Sequence, residues 1–306
     1  MADRADASMT PAPAPSAARR RAPPPAWLRW STLAALPWFP CAVFAVLLAC
    51  ALGGEALLPH DPNVLDLGLA FQPPAWLAGG HWSYPLGTDN MGRDVLSRIL
   101  AGTRISLVVA LYAILISGGI GTAVGMAAGY FGGRVDALVM RLVDIQMSIP
   151  ALALALVLAA VLGPGFETVV LVIVVTYWTW YARIVRGEVM SLKQRDYVAL
   201  ARVAGCGTLV IFRRHLLPNL LNTLLVLATL QVGQVILFEA SLSFLGLGIQ
   251  QPDVSWGLML ADARNYISNA WWVITMPGLA IMATCLASNL LGDWLRDQFD
   301  PRRRQL

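Results

Sequence analysis

Six long apolar runs restrict what this chain can fold into more than any other feature. They cover about 33–58, 105–130, 137–162, 168–184, 220–246 and 270–291. Each reaches the roughly 17–25 residues with which an α-helix crosses a bilayer. Of the 306 residues 57% are hydrophobic and 13% charged, against about 25% charged in a soluble domain. The sequence therefore reads as an integral membrane protein, all-α, a polytopic helix bundle with six transmembrane helices.

Residues 1–30 are rich in Ala, Pro and Arg and read as a disordered tail. The run from Leu33 to Leu58 exceeds the 7–15 residues of a signal-peptide core, so it reads as an uncleaved first span whose start Pro37 and Pro40 bend or delay. The organisation is a tail over 1–30, the first span with a long hydrophilic loop over 31–102, a core of five spans over 103–298, and a basic tail over 299–306.

In the second span Gly121, Gly125 and Gly129 recur every four residues, a face that lets another helix approach closely. In the third, Arg141 and Asp144 are spaced to pair, and Pro150 should kink the helix. In the fourth, Tyr177, Trp178, Trp180 and Tyr181 read as an interfacial aromatic belt.

Several chemistries are excluded. Lys193 is the only lysine and follows Leu192, so no Walker motif exists. Gly87 and Gly92-Arg93-Asp94 imitate the spacing of a phosphate loop with the wrong residues, and read instead as a turn with Thr88 or Asp89 capping a helix. His60, His81 and His215 lie outside the spans and form no HExxH. Cys41, Cys50, Cys206 and Cys285 have no CxxC spacing, which argues against a disulfide framework or a zinc site.

The segment Arg195 to Asn219 (within a polar region over 186–219) is too polar to enter a bilayer, yet apolar spans flank it. It reads as two short helices. The first, about Asp196 to Ala204, carries small residues; Gly205 and Gly207 allow the turn; Thr208 caps the second helix, and Pro218 ends it. Leu209, Phe212 and Leu216 share one face. Such a stripe suits a groove in a partner protein or a lipid surface. Placing the N-terminus inside puts eighteen of the 22 Lys and Arg on the cytoplasmic side, leaving Arg93, Arg98, Arg104 and Arg264 outside. Both termini and this segment then face the cytoplasm.

Glu239 is the one acid deep in a span. It could line a solute path, hydrogen-bond to neighbouring helices with Gln231 or Gln234 nearby, or serve as the ion site of a proton-coupled secondary transporter.

Four stretches carry a family resemblance. Ala199-Leu200-Ala201, Gly205 and His215-Leu216-Leu217-Pro218 resemble the coupling loop of binding-protein-dependent ABC importer permeases, with Ala199 in place of the usual Glu and Leu200 in place of an Ala. The segments from Pro85 to Arg98 and from Phe238 to Gly248, and the ending Asn289 to Pro301, resemble the C-type permeases of dipeptide, oligopeptide and nickel importers; Trp294 stands where a smaller residue is usual.

The resemblance implies a type I ABC importer permease fold in the inner membrane. It implies a non-catalytic subunit that moves peptides, or a related solute such as a nickel chelate, by alternating access. The implied partners are a B-type permease, two ABC ATPase subunits and an extracytoplasmic solute-binding protein, besides membrane lipid; no nucleic acid is involved. No cofactor sits on this chain, since ATP and Mg belong to the ATPases. Ala199, Ala201, Gly205, Phe212, His215, Leu217 and Pro218 would form the ATPase-coupling loop, with Ala201 against the ATPase. Close-packing faces on the second span would serve the permease heterodimer.

Overall fold

A computed structural model of the protein describes residues 37–299. The tail over 1–30, the start of the first apolar run and the arginines at 302–304 lie outside the described residues. Helix α1 (Trp38–Gly53) starts directly after Pro37. After a long loop come α2 (Val95–Phe131), α3 (Gly133–Met147), α4 (Ala151–Leu162) and α5 (Phe166–Leu192). Helix α6 (Asp196–Val203) leads to α7 (Thr208–Ile211), which passes through a π-turn at Phe212–Leu216 into α8 (Leu217–Phe244). Helices α9 (Trp256–Ala263) and α10 (Trp271–Phe299) complete the described residues, among which no β-strand occurs beyond one isolated bridge between Thr88 and Asp94.

Among the described residues four stretches are long and apolar enough to cross a membrane: α2, α5, the continuous helix Thr208–Phe244, and α10. The expected third span is broken. Helices α3 and α4 meet at 85°, and counting them as one span gives five. Pro150 cannot donate an N–H to a continuing helix and its ring excludes the preceding turn, so the chain turns over Ser148 to Pro150. Helix α1 is apolar but only 16 residues long within the described residues.

The glycine face of α2 packs against α5. A Cβ on Gly121 would lie 2.4 Å from the Trp178 carbonyl oxygen, and one on Gly125 would lie 2.5 Å from that of Ala182. This face is therefore consumed inside the chain, and the expectation that it serves a second permease is corrected. The expected aromatic belt is also dispersed. Tyr181 is buried against Gly118, Tyr177 packs on Phe238, and Trp178 donates to Gln146 Oε1 at 2.9 Å; only Trp180 is exposed. At about 100° per residue, four such positions cannot share one face. Asp144 pairs with Arg183 on α5 rather than with Arg141.

One end of the bundle is closed by the loop before α2 and by α9. Asp89 Oδ2 accepts from Arg93 Nε at 2.7 Å and from Arg98 Nη1 at 2.6 Å. Both arginines also reach Asp262 at the end of α9, at 3.2 and 3.4 Å. The cap of α2 is Asp94, whose carboxylate accepts from the amides of Leu96 and Ser97. Thr88 and Asp89 do not cap it: Thr88 Oγ1 donates to the Leu69 carbonyl, and Asp89 holds the arginines. Those guanidiniums are buried, and two charges without water need carboxylates, which leaves Asp94 to serve the amides.

Candidate functional site

At the opposite end of α2 sits the helix pair α6–α7. Helix α6 stops because Gly205 adopts φ +77°, a left-handed conformation that costs glycine little. The Cys206 amide then donates to the Ala201 carbonyl at 3.0 Å, and the Gly205 amide to that of Arg202 at 3.0 Å. These are the two bonds of a Schellman closure. Gly207, at an ordinary φ of −64°, is the N-cap of α7 and supplies no side chain, so the cap lies one residue before the expected Thr208.

Pro218 does not end the second helix. It lies in the first turn of α8, and the helix runs on to Phe244. The π-turn before it resolves the conflict. The Leu217 amide donates to the Phe212 carbonyl, five residues back, and Asn219 Nδ2 donates to the His215 carbonyl at 2.6 Å. The widened turn leaves room for the ring and leaves that carbonyl a partner.

This pair is fixed to the bundle by its own core. Val198, Ala201, Ile211, Leu216 and Leu220 pack with Met126 of α2 and with Val185 and Val189 of α5. Phe212, half-buried, meets Tyr130 edge-on at 5.1 Å, and the Arg202 guanidinium lies over the same ring at 4.8 Å. Lys193 Nζ donates to the Gly129 carbonyl at 2.7 Å. Ala201 is 8% exposed and Leu216 fully buried. The expectation that Ala201 faces a partner is thereby corrected: it faces the bundle, because small residues at helical spacing suit close packing within a chain as well as between chains.

The free apolar face is a different one. Leu200 is 67% exposed, Val203 86% and Leu209 69%. Tyr197 and Val210 are exposed beside them. Of the other expected residues, Ala199, Gly205 and Pro218 are exposed, while His215 and Leu217 are half-buried. A signal for the true face was present, since Tyr197 and Leu200 are three residues apart, as are Val198 and Ala201. The spacing does not say which pair looks inward.

Glu239 lies in another part of the fold. It is fully buried near the end of α8. Its Oε1 accepts from Ser243 Oγ at 2.7 Å and from Ser255 Oγ at 2.9 Å. Ser243 Oγ accepts in turn from the Ile249 amide, and Ser255 Oγ from the Leu258 amide at the start of α9, both at 3.2 Å. One carboxylate thus orients two hydroxyls that hold the turn after α8 and the cap of α9. Serines take the place expected for Gln231 or Gln234. Glu239 lines neither of two clefts in the bundle, of about 570 and 500 Å³. One of these, about 500 Å³, lies between α5, α8 and α10 and includes Glu188, Asn222 and Arg296.

Comparison with known proteins agrees with this architecture. Residues 121–305 match the family described as binding-protein-dependent transport system inner membrane component. The chain is 44% identical over 257 residues to the di/tripeptide transport system permease protein DppC of Pseudomonas aeruginosa (strain UCBPP-PA14), covering 84% of this chain and 85% of that protein. It is 41% identical over 273 residues to the nickel transport system permease protein NikC of Escherichia coli (strain K12), covering 89% and 95%. The inward-facing MetNI methionine ABC transporter shares the fold, with a TM-score of 0.53 at 19% identity, over 66% of this chain and 96% of that one. With the glycine-packed α2–α5 pair and the helix pair at the bundle end, these similarities establish that the chain belongs to the inner-membrane components of binding-protein-dependent transport systems.

Proposed function

We propose that the chain is the C-type permease subunit of an ABC importer for peptides or a related small solute such as a nickel chelate, and that α6 and α7 form its contact with an ATPase subunit. The carrying observation is the exposed face of Leu200, Val203 and Leu209 on a helix pair whose other face is rooted in the core between α2 and α5. A rigid mount with an apolar free face suits helix-in-groove docking, and force applied there passes directly into α5 and α8. Ala199, Gly205, Phe212, His215, Leu217 and Pro218 act as one docking unit in this reading, with Ala201 as its internal anchor.

The subunit has six spans in this reading: α1 lengthened by the apolar residues before it, and α3–α4 as one broken span. The distribution of Lys and Arg supports cytoplasmic termini. A second permease of B type, two ATPases carrying ATP and Mg, and an extracytoplasmic binding protein complete the transporter. Catalysis lies on the ATPases, and the bundle alternates between inward and outward states as they close and reset. The solute class rests on the names of the peptide and nickel relatives. The hydrogen bonds from Ser243 and Ser255 to Glu239 Oε1 support a structural role for this residue over the proton-coupled alternative.

The test is co-purification of ATPase subunits with tagged wild type, Val203→Asp and Leu209→Asp. Both variants should reach the membrane in wild-type amounts and lose about 90% of the ATPase, a change of about tenfold, or roughly 1.4 kcal/mol of binding. Equal ATPase recovery in all three would overturn the docking assignment.

A further inference from the structure

A cleft of about 570 Å³ opens at the other end of the bundle, between the end of α1, the loop after it, the start of α2 and the loop before α9. Arg104 reaches it from α2, Asp61 and Asp253 from the two loops. Leu100, Ile105 and Cys50 give it an apolar side. Its His60 is already engaged: the ring lies 3.4 Å from Asp94 and stacks on Tyr84 at 4.6 Å. Arg104 is exposed, and among the described residues no hydrogen bond or ion pair holds its guanidinium. The Asp253 side chain is likewise exposed and unpaired, while Asp61 accepts only from the Asn63 amide.

The depth of Arg104 identifies the kind of ligand. Helix α2 has 37 residues, about 55 Å at 1.5 Å per residue, against about 30 Å of hydrocarbon. Sharing the excess between the ends leaves about eight residues of α2 outside the hydrocarbon at each end, so Arg104, the tenth residue of the helix, stands at the headgroup boundary. Below it on the same face of α2 the exposed side chains turn apolar, with Leu111 and Leu115. A guanidinium at that depth pairs with phosphate through its planar fork. Two carboxylates beside it suit a primary ammonium and disfavour a second anion.

We propose that this cleft is a binding site for phosphatidylethanolamine, with the lipid phosphate on Arg104 and the ammonium between Asp61 and Asp253. The acyl chains run down the Leu111 and Leu115 surface of α2. The site is independent of the solute assignment, and it fixes the end of α1 to the loop that precedes α9.

The test uses the full chain in detergent and follows alkylation of Cys50, which lines the cleft. Cys206, at the opposite end, is the internal reference. The probes are dioctanoyl phosphatidylethanolamine, phosphatidylglycerol, phosphatidylcholine and the peptide trialanine. At about tenfold excess over Kd, phosphatidylethanolamine should slow Cys50 labelling roughly tenfold and leave Cys206 unchanged. Phosphatidylglycerol and phosphatidylcholine should protect far less, the first lacking a cation and the second lacking N–H donors. Arg104→Gln should abolish protection, and Asp253→Asn should let phosphatidylglycerol protect as well. Equal protection by all three headgroups, protection by trialanine alone, or undiminished protection in Arg104→Gln would overturn the site. If Arg104→Gln unfolds, seen as faster Cys206 labelling, the wild-type headgroup comparison decides by itself.

Discussion

The Cys206 amide donates to the Ala201 carbonyl at 3.0 Å, and this one bond fixes the direction in which the chain leaves α6. It forms only because Gly205, between them, sits at φ +77°. A Cβ there would meet nothing within 4 Å, so the glycine is required by backbone conformation and not by space.

Gly205→Val should therefore cost about 1–3 kcal/mol of local strain and redirect α7 without touching any span. Membrane yield should stay near wild type while ATPase co-purification and solute uptake fall. Uptake and co-purification at wild-type levels would show that the closure is dispensable. Ala201→Asp should behave differently. It places a carboxylate in the core with Val185, Val189 and Leu216, so it should lower membrane yield and thermal stability as well as co-purification.

Glu239 is expected to act through the two serines it orients. Glu239→Ala leaves the hydroxyls of Ser243 and Ser255 without their acceptor, a loss of about 1–3 kcal/mol for buried groups. Glu239→Gln keeps an acceptor oxygen, so its thermal midpoint should fall by less than half as much. Abolished uptake in Glu239→Gln, with stability intact, would instead place the charge itself on the solute path.

The glycines of α2 separate packing from propensity. Gly125→Ala should destabilise the protein, because its Cβ would lie 2.5 Å from the Ala182 carbonyl oxygen on α5. Gly119→Ala meets nothing within 4 Å and should be neutral or stabilising by up to about 1 kcal/mol. Thermal unfolding of the two variants in one detergent gives the comparison, and an equal effect would contradict the close α2–α5 approach.

The latch at the other end depends chiefly on Asp89. Asp89→Ala leaves two buried arginines with only the longer contacts to Asp262, and removal of one partner from a buried ion pair costs about 3–5 kcal/mol. Asp262→Ala should cost less, because that carboxylate is partly exposed and its bonds are longer. Protease sensitivity of the loop before α2 reports both variants, and the reverse order of effects would refute the ranking.

Much of this was legible in the residues. Four of the six apolar runs coincide with helices long enough to cross a membrane and a fifth with the broken α3–α4 pair, and the every-fourth-residue glycines marked a close helix approach. Gly205 marked the turn between the two short helices, and the residues from Ala199 to Pro218 with the terminal signature pointed to the family. The places where expectation and structure part share a cause. Pro150 breaks a span and Pro218 passes inside a helix, though both are prolines in apolar surroundings. At Pro218 a π-turn and the Asn219 side chain reorganise the backbone groups around the ring; at Pro150 the chain simply turns.

By itself the sequence determined composition, period and local backbone, and hence a membrane bundle with a polar helix pair between apolar spans. Those properties depend on each residue and its near neighbours. The tertiary structure decided which of two equivalent faces is free. It sent Ala201 and Leu216 into the core and left Leu200, Val203 and Leu209 outside. It gave Glu239 its serines, Asp89 its two arginines, and the glycines of α2 their partner in α5. Helical spacing marks a face as able to be buried. Only the chain's other elements, brought alongside from far along the sequence, as Asp262 is to Arg98 from 164 positions away, decide whether it is.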